Sequence, residues 1–306
     1  MERAAAFKSL LGVAPPLPIE SVLDSVRDTL DARRALVLQA PPGAGKTTVV
    51  PLALLDAAWL GARSIVMLEP RRIATRAAAE RIAQLLGERV GGTVGYRIRG
   101  ESRVGRETRI EIVTEGILAR RLQRDPTLDG VGIVIFDEFH ERSLDADLGL
   151  ALTLRTQQLL RDDLRILVMS ATLDSDPVAK LLGDAPIISS EGRMFPIETR
   201  YLEPRGEARI EATVVAAIVG ALSTTEGDIL AFLPGAAEIR RVASALEARD
   251  LRGAIVAPLY GAMPHNAQDR ALRPDASGRR KIVLATSIAE TSLTIEGVRI
   301  VVDCGL

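Results

Sequence analysis

Short apolar runs alternate with longer helical patterns over the first two thirds of the sequence. The runs are apolar almost throughout, without alternating polar positions, which is typical of strands buried on both faces of a parallel sheet. The predicted strands are 35–39, 64–68, 110–113, 133–136 and 165–169, and the predicted helices include 71–86, 115–123 and 144–160. This order of strand, helix and strand predicts a doubly wound α/β domain.

A second domain of the same kind follows a stretch rich in Gly, Pro and Ser between residues 183 and 204. Its predicted strands are 228–232, 254–258, 280–285 and 298–302, and its predicted helices are 210–222, 236–248 and 265–273. We place the boundary near residues 194–202, with an N-terminal extension at 1–16, a first lobe at 17–196 and a second lobe at 197–306. Because a doubly wound sheet normally continues with another crossover, we expect the second lobe to be incomplete at its C-terminal end.

Composition narrows the class of protein without deciding its function. The 306 residues correspond to two domains of roughly 150 residues each, and 47% of them are apolar, enough for two cores. We expect neither a membrane-spanning segment nor a secretory signal. The single cysteine, Cys304, excludes a disulfide framework and a cysteine-based zinc site. We therefore expect a cytoplasmic protein, and we expect a monomer with no membrane association and no obligate protein partner. The net charge of −1 indicates that the chain as a whole is not a general cationic binder of nucleic acid.

A glycine-rich loop between the first predicted strand and the next helix carries the clearest chemistry. Residues 40–47 differ from the G-x-x-x-x-G-K-[ST] phosphate loop only at Ala40. Glycines would let backbone N–H groups turn towards phosphates, Lys46 would reach the β- and γ-phosphates, and Thr47 would ligate Mg²⁺. The candidate nucleotide-binding residues are Pro42, Gly43, Ala44, Gly45, Lys46, Thr47 and Thr48. The alternative is a glycine-rich turn without a ligand.

Two acids follow the fourth predicted strand of the first lobe directly. Ligands of parallel sheets bind at the carboxyl ends of the strands, so Asp137 and Glu138 are expected beside the phosphate loop. Asp137 suits the outer shell of Mg²⁺, and Glu138 suits orienting and deprotonating the attacking water. The candidate metal site is therefore Thr47, Asp137 and Glu138. The alternative is a pair of caps for the following helix.

The residues after these acids point to a family. Residues 137–143 read Asp-Glu-Phe-His-Glu-Arg-Ser, which resembles the D-E-x-H-E-R signature of DEAH-box RNA helicases. Further segments resemble the other motifs of that family in the family's order: 69–72, 114–116, 170–172, 232–235 with 238–239, and 285–295. Three segments, residues 16–19, the Asp-Glu-Phe-His sequence at 137–140 and residues 192–196, are similar to the corresponding sequences of the bacterial HrpB branch. The resemblance covers the chain from about residue 16 onwards.

The resemblance implies two RecA-like lobes with ATP and Mg²⁺ between them and single-stranded RNA across their top, so that ATP hydrolysis drives movement on RNA. It implies catalytic roles for Lys46, Asp137, Glu138 and His140. It implies RNA contacts from Arg71, Arg72, Thr114, Glu115, Gly116 and Thr286. It implies a coupling role for Ser170 and Thr172, stacking of Arg81 on adenine, and nucleotide contacts from Thr294 and, near the ribose, Glu296.

The sequence also departs from the family pattern. Leu272 stands where eukaryotic relatives have a stacking phenylalanine, which removes one basis for adenine selectivity. No Q-R-x-G-R-A-G-R segment, the family's motif VI, occurs in the 306 residues. Because the arginines of that motif contact the γ-phosphate, we expect this chain to bind ATP, to hydrolyse it very slowly and not to unwind duplexes.

Two other functions stay open at the level of the sequence. One is a translocase that acts on single-stranded DNA, because the same lobes serve both nucleic acids. The other is an ATP-regulated nucleic-acid clamp that does not unwind duplexes. ATP turnover separates the enzyme from the clamp, and competition between RNA and single-stranded DNA separates the substrates.

Overall fold

The computed structural model describes residues 16–171, 175–192, 196–202, 209–290 and 295–306. The chain divides into two compact units, Met1–Phe195 and Pro196–Leu306, and each is described by itself below. No helix among the described residues is long and apolar enough to cross a membrane.

The first unit is built on one twisted sheet with the order β4-β3-β5-β2-β6-β7-β1-β8. Its strands are β1 (Ala35–Gln39), β2 (Ser64–Glu69), β3 (Val94–Ile98), β4 (Glu101–Arg103), β5 (Ile110–Thr114), β6 (Val131–Phe136), β7 (Arg165–Ser170) and β8 (Ile187–Ser189). The pairings are parallel, except that β4 runs antiparallel to β3. The carboxyl ends of β5, β2, β6, β7 and β1 therefore meet at one edge of the sheet, with β6 in the middle.

Helices cover both faces of this sheet. They are α1 (Leu23–Arg33), α2 (Lys46–Leu54), α3 (Arg72–Leu85), α4 (Glu115–Arg124), α5 (Leu144–Leu159) and α6 (Asp176–Leu181), with short 3₁₀ turns at Pro18–Val22 and Phe139–Glu141. Along β2, Ile65 and Met67 enter the core beneath α1, α2 and α3, whereas Val66 and Leu68 enter the core beneath α4, α5 and α6. Both sets of side chains are buried, which explains why the strand is apolar without alternation.

The second unit repeats this plan with the parallel sheet order β10-β11-β9-β12. Its elements are α7 (Ile210–Thr224), β9 (Asp228–Phe232), α8 (Ala236–Glu247), β10 (Ile255–Leu259), α9 (His265–Leu272), β11 (Lys281–Ala285), a 3₁₀ turn at Ser287–Ala289 and β12 (Val298–Asp303). The central strand β11 is buried throughout, whereas the edge strand β12 alternates between partly buried and exposed positions. The core lies between the sheet and the pair α7 and α8.

The predicted fold class is confirmed, since both units are α/β with parallel sheets. The strands and helices predicted from the sequence are present, with ends that shift by one or two residues. Among the residues that the structure describes, three strands were not predicted, namely β3, β4 and β8. Of these, β4 reads Glu-Ser-Arg, and β8 is only three residues long, so neither carries an apolar run long enough to predict a buried strand.

Candidate active site

The loop between β1 and α2 wraps around the ammonium group of Lys46. Gly43 (φ 76°) and Gly45 (φ 97°) have left-handed backbone conformations that favour glycine. Lys46, the first residue of α2, is 4% exposed, and its Nζ donates to the carbonyl oxygen of Ala40 at 2.8 Å. A fixed positive charge thus lies inside a loop that leads into a helix N-terminus, an arrangement suited to phosphate groups.

Neighbouring segments hold this loop from both sides. The backbone N–H of Ile19 donates to the carbonyl oxygen of Ala44 at 3.2 Å, and the N–H of Ala40 donates to Ser170 at 3.0 Å. A Cβ atom on Gly45 would lie 2.9 Å from the Leu17 side chain. The segment around Leu17 and Ile19 therefore packs on the loop. Ala40, which replaces the first glycine of the family pattern, is buried at 1% exposure.

The two acids after β6 lie beside the loop, as predicted from the common edge at which parallel strands end. The Thr47 hydroxyl donates to Oδ2 of Asp137 at 2.5 Å, and the N–H of Glu138 donates to Oδ1 of the same carboxylate at 2.8 Å. Asp137 is 5% exposed, and its own N–H donates to the carbonyl oxygen of Leu68 on β2. The structure thus brings the hydroxyl and the carboxylate of the predicted metal site together.

Glu138 has the backbone and the environment of a functional residue. Its φ of 48° lies in the left-handed region, which is uncommon for a residue with a side chain and is found often at active sites. Burial raises the pKa of its carboxyl to about 7; the charge of Asp137 adds to the rise, and Lys46 opposes it. A carboxyl that titrates near neutral pH is suited to accept a proton from water.

Capping does not explain the acid pair. Glu138 precedes the 3₁₀ turn Phe139–Glu141 without a capping bond from its side chain. The following helix α5 is capped instead by Ser143, whose Oγ accepts from the N–H of Ala146 at 2.9 Å. The helix-cap alternative for Asp137 and Glu138 is therefore not supported by the geometry.

A third acid, Glu69, completes the buried cluster and was given no role from the sequence. It is the last residue of β2 and lies beside Asp137, since Leu68 pairs with Phe136 in the register of the two strands. Its side chain is 1% exposed. Burial raises its pKa well above the ordinary value, and the charge of Asp137 and a hydrogen bond with it raise the pKa further. In the sequence, the one feature that could have indicated a role for Glu69 is its position as an acid at the end of an otherwise apolar strand.

His140 connects the acid cluster to the end of β7. Its Nδ1 accepts a hydrogen bond from the N–H of Ala171 at 3.3 Å and lies 3.5 Å from Oε2 of Glu138. Burial, followed by the charge of Lys46, lowers the pKa of the imidazole. A neutral ring with a free Nδ1 lone pair agrees with its role as acceptor. The predicted coupling residue Ser170 immediately precedes Ala171 and is buried.

Three of the predicted RNA contacts lie at the N-termini of neighbouring helices. Arg71 and Thr114 are the N-cap residues of α3 and α4, and these helices follow the adjacent strands β2 and β5. Arg72 is exposed, whereas Arg71 is half-buried with its guanidinium 3.4 Å from Oε2 of Glu141. This edge therefore combines positive side chains with two helix N-termini, both favourable for phosphates.

Glu115 and Gly116 form the first turn of α4 at the same edge. The Glu115 carboxylate accepts a hydrogen bond from the Ser143 hydroxyl at 2.7 Å. Burial raises the pKa of Glu115, and this hydrogen bond opposes the rise. Ser143 is thus a second residue, besides Glu141, through which segment 137–143 reaches the predicted RNA contacts.

Comparison with known proteins decides the family. The DEAD/DEAH box helicase family profile matches residues 22–181, and the profile of the helicase conserved C-terminal domain matches residues 211–306. The chain belongs to the DEAD/DEAH box helicase family. This confirms the resemblance found in the sequence and the two RecA-like lobes that it implied.

Relatives of this helicase chain include proteins from several bacteria. It is 52% identical over 94% of its length to the ATP-dependent RNA helicase HrpB of Escherichia coli, and 36% identical over 94% to the ATP-dependent RNA helicase HrpA of Borreliella burgdorferi. The chain spans 36% of the length of each of these relatives. A crystal structure of the E. coli DEAH/RHA helicase HrpB superposes with a TM-score of 0.87 over 94% of this chain and 37% of that one.

The remaining residues predicted to contact nucleotide or RNA are divided between the phosphate loop, α3 and the second unit. Pro42 is exposed in the loop, Ala44 is buried, Thr48 Oγ1 donates to Gly45 at 3.5 Å, and Arg81 is exposed on α3. In the second unit, Thr286 precedes the 3₁₀ turn at Ser287–Ala289, Glu296 is exposed before β12, and Leu272 ends α9. Thr172 and Thr294 lie outside the described residues.

Proposed function

We propose that this chain is the ATPase core of an ATP-dependent RNA helicase, in which ATP hydrolysis at the β1–α2 loop drives movement on single-stranded RNA. The observation that carries the proposal is the bond between Thr47 and Asp137, because it joins the phosphate loop to the acid pair. Lys46 would neutralise the β- and γ-phosphates, and Glu138 would orient and deprotonate the attacking water.

Thr47 and Asp137 fit a magnesium ion. The hydroxyl and carboxylate oxygens are hard ligands, and their atoms already meet. Among the described residues no group of three or more His, Cys, Asp or Glu is arranged to hold a metal by itself. Mg²⁺ in phosphoryl-transfer sites is held by one or two protein groups together with water and substrate phosphates, where it neutralises charge on the phosphate oxygens.

We propose that RNA lies along the edge formed by the N-termini of α3 and α4. Arg71, Arg72 and the turn at Thr114 would contact phosphates, and Thr286 would do so from the second lobe. Aromatic residues are only 3% of the sequence, so stacking on successive bases has few candidates. Binding should therefore be indifferent to base sequence and should weaken with salt, with a log–log slope of about −0.7 per neutralised phosphate.

The nucleotide site is tested by titrating a fluorescent ATP analogue into the chain with Mg²⁺. Lys46→Ala should weaken binding by about tenfold or more, because a buried charge-assisted contact to phosphate is lost. Lys180→Ala removes the same side chain from an exposed position on α6 and should leave binding unchanged. Equal affinity of Lys46→Ala and the native chain would reject the proposed site.

The nucleic acid is tested by competition at one salt concentration. A labelled single-stranded RNA bound to the chain is displaced with unlabelled RNA or with DNA of the same sequence. The proposal requires RNA to compete better. Equal competition would favour the translocase on single-stranded DNA, which shares the phosphate contacts.

A further inference from the structure

Segment 137–143 touches both halves of the proposed site. At its beginning, Asp137 accepts from Thr47 of the phosphate loop. At its end, Glu141 pairs with Arg71 and Ser143 donates to Glu115. The order of the strands explains why this segment reaches both places. On one side of β6 lies β2, which leads to Arg71. On the other side lies β7 and then β1, which leads to the phosphate loop.

The two neighbouring arginines of this edge differ in their surroundings. The Arg71 guanidinium lies 3.4 Å from Glu141 Oε2, and the side chains of the pair are 25% and 17% exposed. Arg72 is exposed, and within the described residues no hydrogen bond or ion pair involves its guanidinium. A carboxylate thus occupies part of the space around Arg71 where a phosphate oxygen would bind, whereas Arg72 has no such competitor.

Glu141 is connected to Glu138, beside the proposed nucleotide site, by a short turn and a backbone hydrogen bond. It ends the 3₁₀ turn Phe139–Glu141, and its N–H donates to the carbonyl oxygen of Glu138 at 2.9 Å. Left-handed residues bound the turn on both sides, Glu138 with φ 48° and Arg142 with φ 47°. Non-glycine residues in this region persist only where surrounding contacts hold them, so a changed contact at Glu138 is expected to move the turn.

We propose that Glu141 is a positioning residue that withholds Arg71 from RNA until nucleotide binding shifts the turn. The inference rests on the proposed function, since it requires RNA at this edge. Arg72 then supplies a phosphate contact that does not depend on nucleotide, and Arg71 supplies one that does. By linkage, RNA must favour nucleotide binding by the same factor as nucleotide favours RNA binding.

The test measures the affinity of the full chain for a fluorescent single-stranded RNA over a range of salt, with and without a non-hydrolysable ATP analogue and Mg²⁺. Without nucleotide, Arg72→Ala should flatten the log–log slope by about 0.7, whereas Arg71→Ala should change it little. With the ATP analogue, both variants should flatten it by a similar amount. This comparison needs no change at Glu141.

A second set of variants tests Glu141 itself. Without nucleotide, Glu141→Gln should tighten RNA binding by about two- to fivefold, the range for releasing a partly exposed ion pair. In that background Arg71→Ala should flatten the slope even without nucleotide. Glu107→Gln removes one negative charge from an exposed loop before β5, and it controls for net charge.

The outcomes distinguish the withholding role of Glu141 from the proposed position of the RNA. If Arg71→Ala flattens the slope fully without nucleotide, the withholding role is wrong and the RNA edge stands. If Glu141→Gln behaves like Glu107→Gln, the withholding role is wrong, and the RNA edge stands as long as either arginine contributes to the slope. If neither arginine affects RNA binding under any condition, the proposed RNA edge itself is wrong. The inference is supported if Arg71, and not Arg72, contributes to the slope only when nucleotide is present. In the Glu141→Gln background, Arg71 should contribute equally with and without nucleotide.

Discussion

Thr47 and Asp137 lie 90 positions apart in the sequence, and the Thr47 hydroxyl donates to the Asp137 carboxylate over 2.5 Å. The other oxygen of that carboxylate accepts the N–H of Glu138. Two donors therefore fix the orientation of a carboxylate that is almost fully buried. A preoriented oxygen pair of this kind is what a magnesium-dependent phosphate site requires.

Removing the charge of Asp137 should uncouple nucleotide binding from magnesium. In Asp137→Asn the side chain keeps its shape but loses the negative charge that attracts the ion. We expect the affinity for the ATP analogue to become nearly independent of Mg²⁺ concentration. Asp129→Asn, at an exposed position, should keep the native dependence. An unchanged magnesium dependence in Asp137→Asn would place the ion elsewhere.

Glu69 should make the stability of the first lobe depend on pH. Burial and the charge of Asp137 raise its pKa in the folded chain above the ordinary value of 4.5, so the folded state retains a proton that the unfolded state has lost. Its contribution is thus present below about pH 4.5 and is lost as pH rises towards the folded-state value. Glu69→Gln should be more stable than the native chain at pH 8, with a smaller difference at pH 5, as measured by urea unfolding. A constant difference would contradict this.

Gly192 should be needed for the position of the phosphate loop. A Cβ atom at this position would overlap the ring of Pro41, so Gly192→Ala must displace one of the two segments. We expect a loss of stability of about 1–3 kcal/mol and weaker binding of the ATP analogue. Gly220→Ala, on α7, meets nothing within 4 Å and serves as control. Native affinity in Gly192→Ala would show that the loop does not depend on this contact.

Ser143 should stabilise the first lobe through two hydrogen bonds. Its Oγ accepts from Ala146 as the N-cap of α5 and donates to Glu115. Ser143→Ala should lower the free energy of unfolding by about 0.5–2 kcal/mol, the range for a lost N-cap. Ser143→Thr keeps the hydroxyl and should restore most of the loss. If Ser143→Thr is as unstable as Ser143→Ala, the effect is steric and the hydrogen bonds are not its cause.

Lys281 should be a structural residue of the second lobe. Its Nζ donates to the carbonyl oxygens of Ala271 and Arg273 at 2.8 Å and 2.5 Å, and the side chain is 1% exposed. Lys281→Met would leave these carbonyls at the end of α9 without that donor and should cost about 1–3 kcal/mol in thermal or urea unfolding. Lys180→Met, at an exposed position, should cost little. Equal stability of the two variants would contradict the assignment.

The sequence predicted the parts of the site whose residues are contiguous or end a strand. The phosphate loop is local, so its glycines and Lys46 can be recognised without a structure. Asp137 and Glu138 follow an apolar run directly, and parallel strands bring their carboxyl ends to one edge. The roles assigned to these residues stay predictions, whereas the family and the fold class are confirmed.

The tertiary structure decided which side chains meet across that edge. The burial of Glu69 against Asp137 requires β2 to lie next to β6, and the pairing of Arg71 with Glu141 requires the same neighbours. No local sequence pattern predicts strand order, because the order results from packing helices on both faces of the sheet at once. The sequence by itself therefore determined most of the elements and the chemistry at their ends, and only the packed sheet determined the partners of each charge.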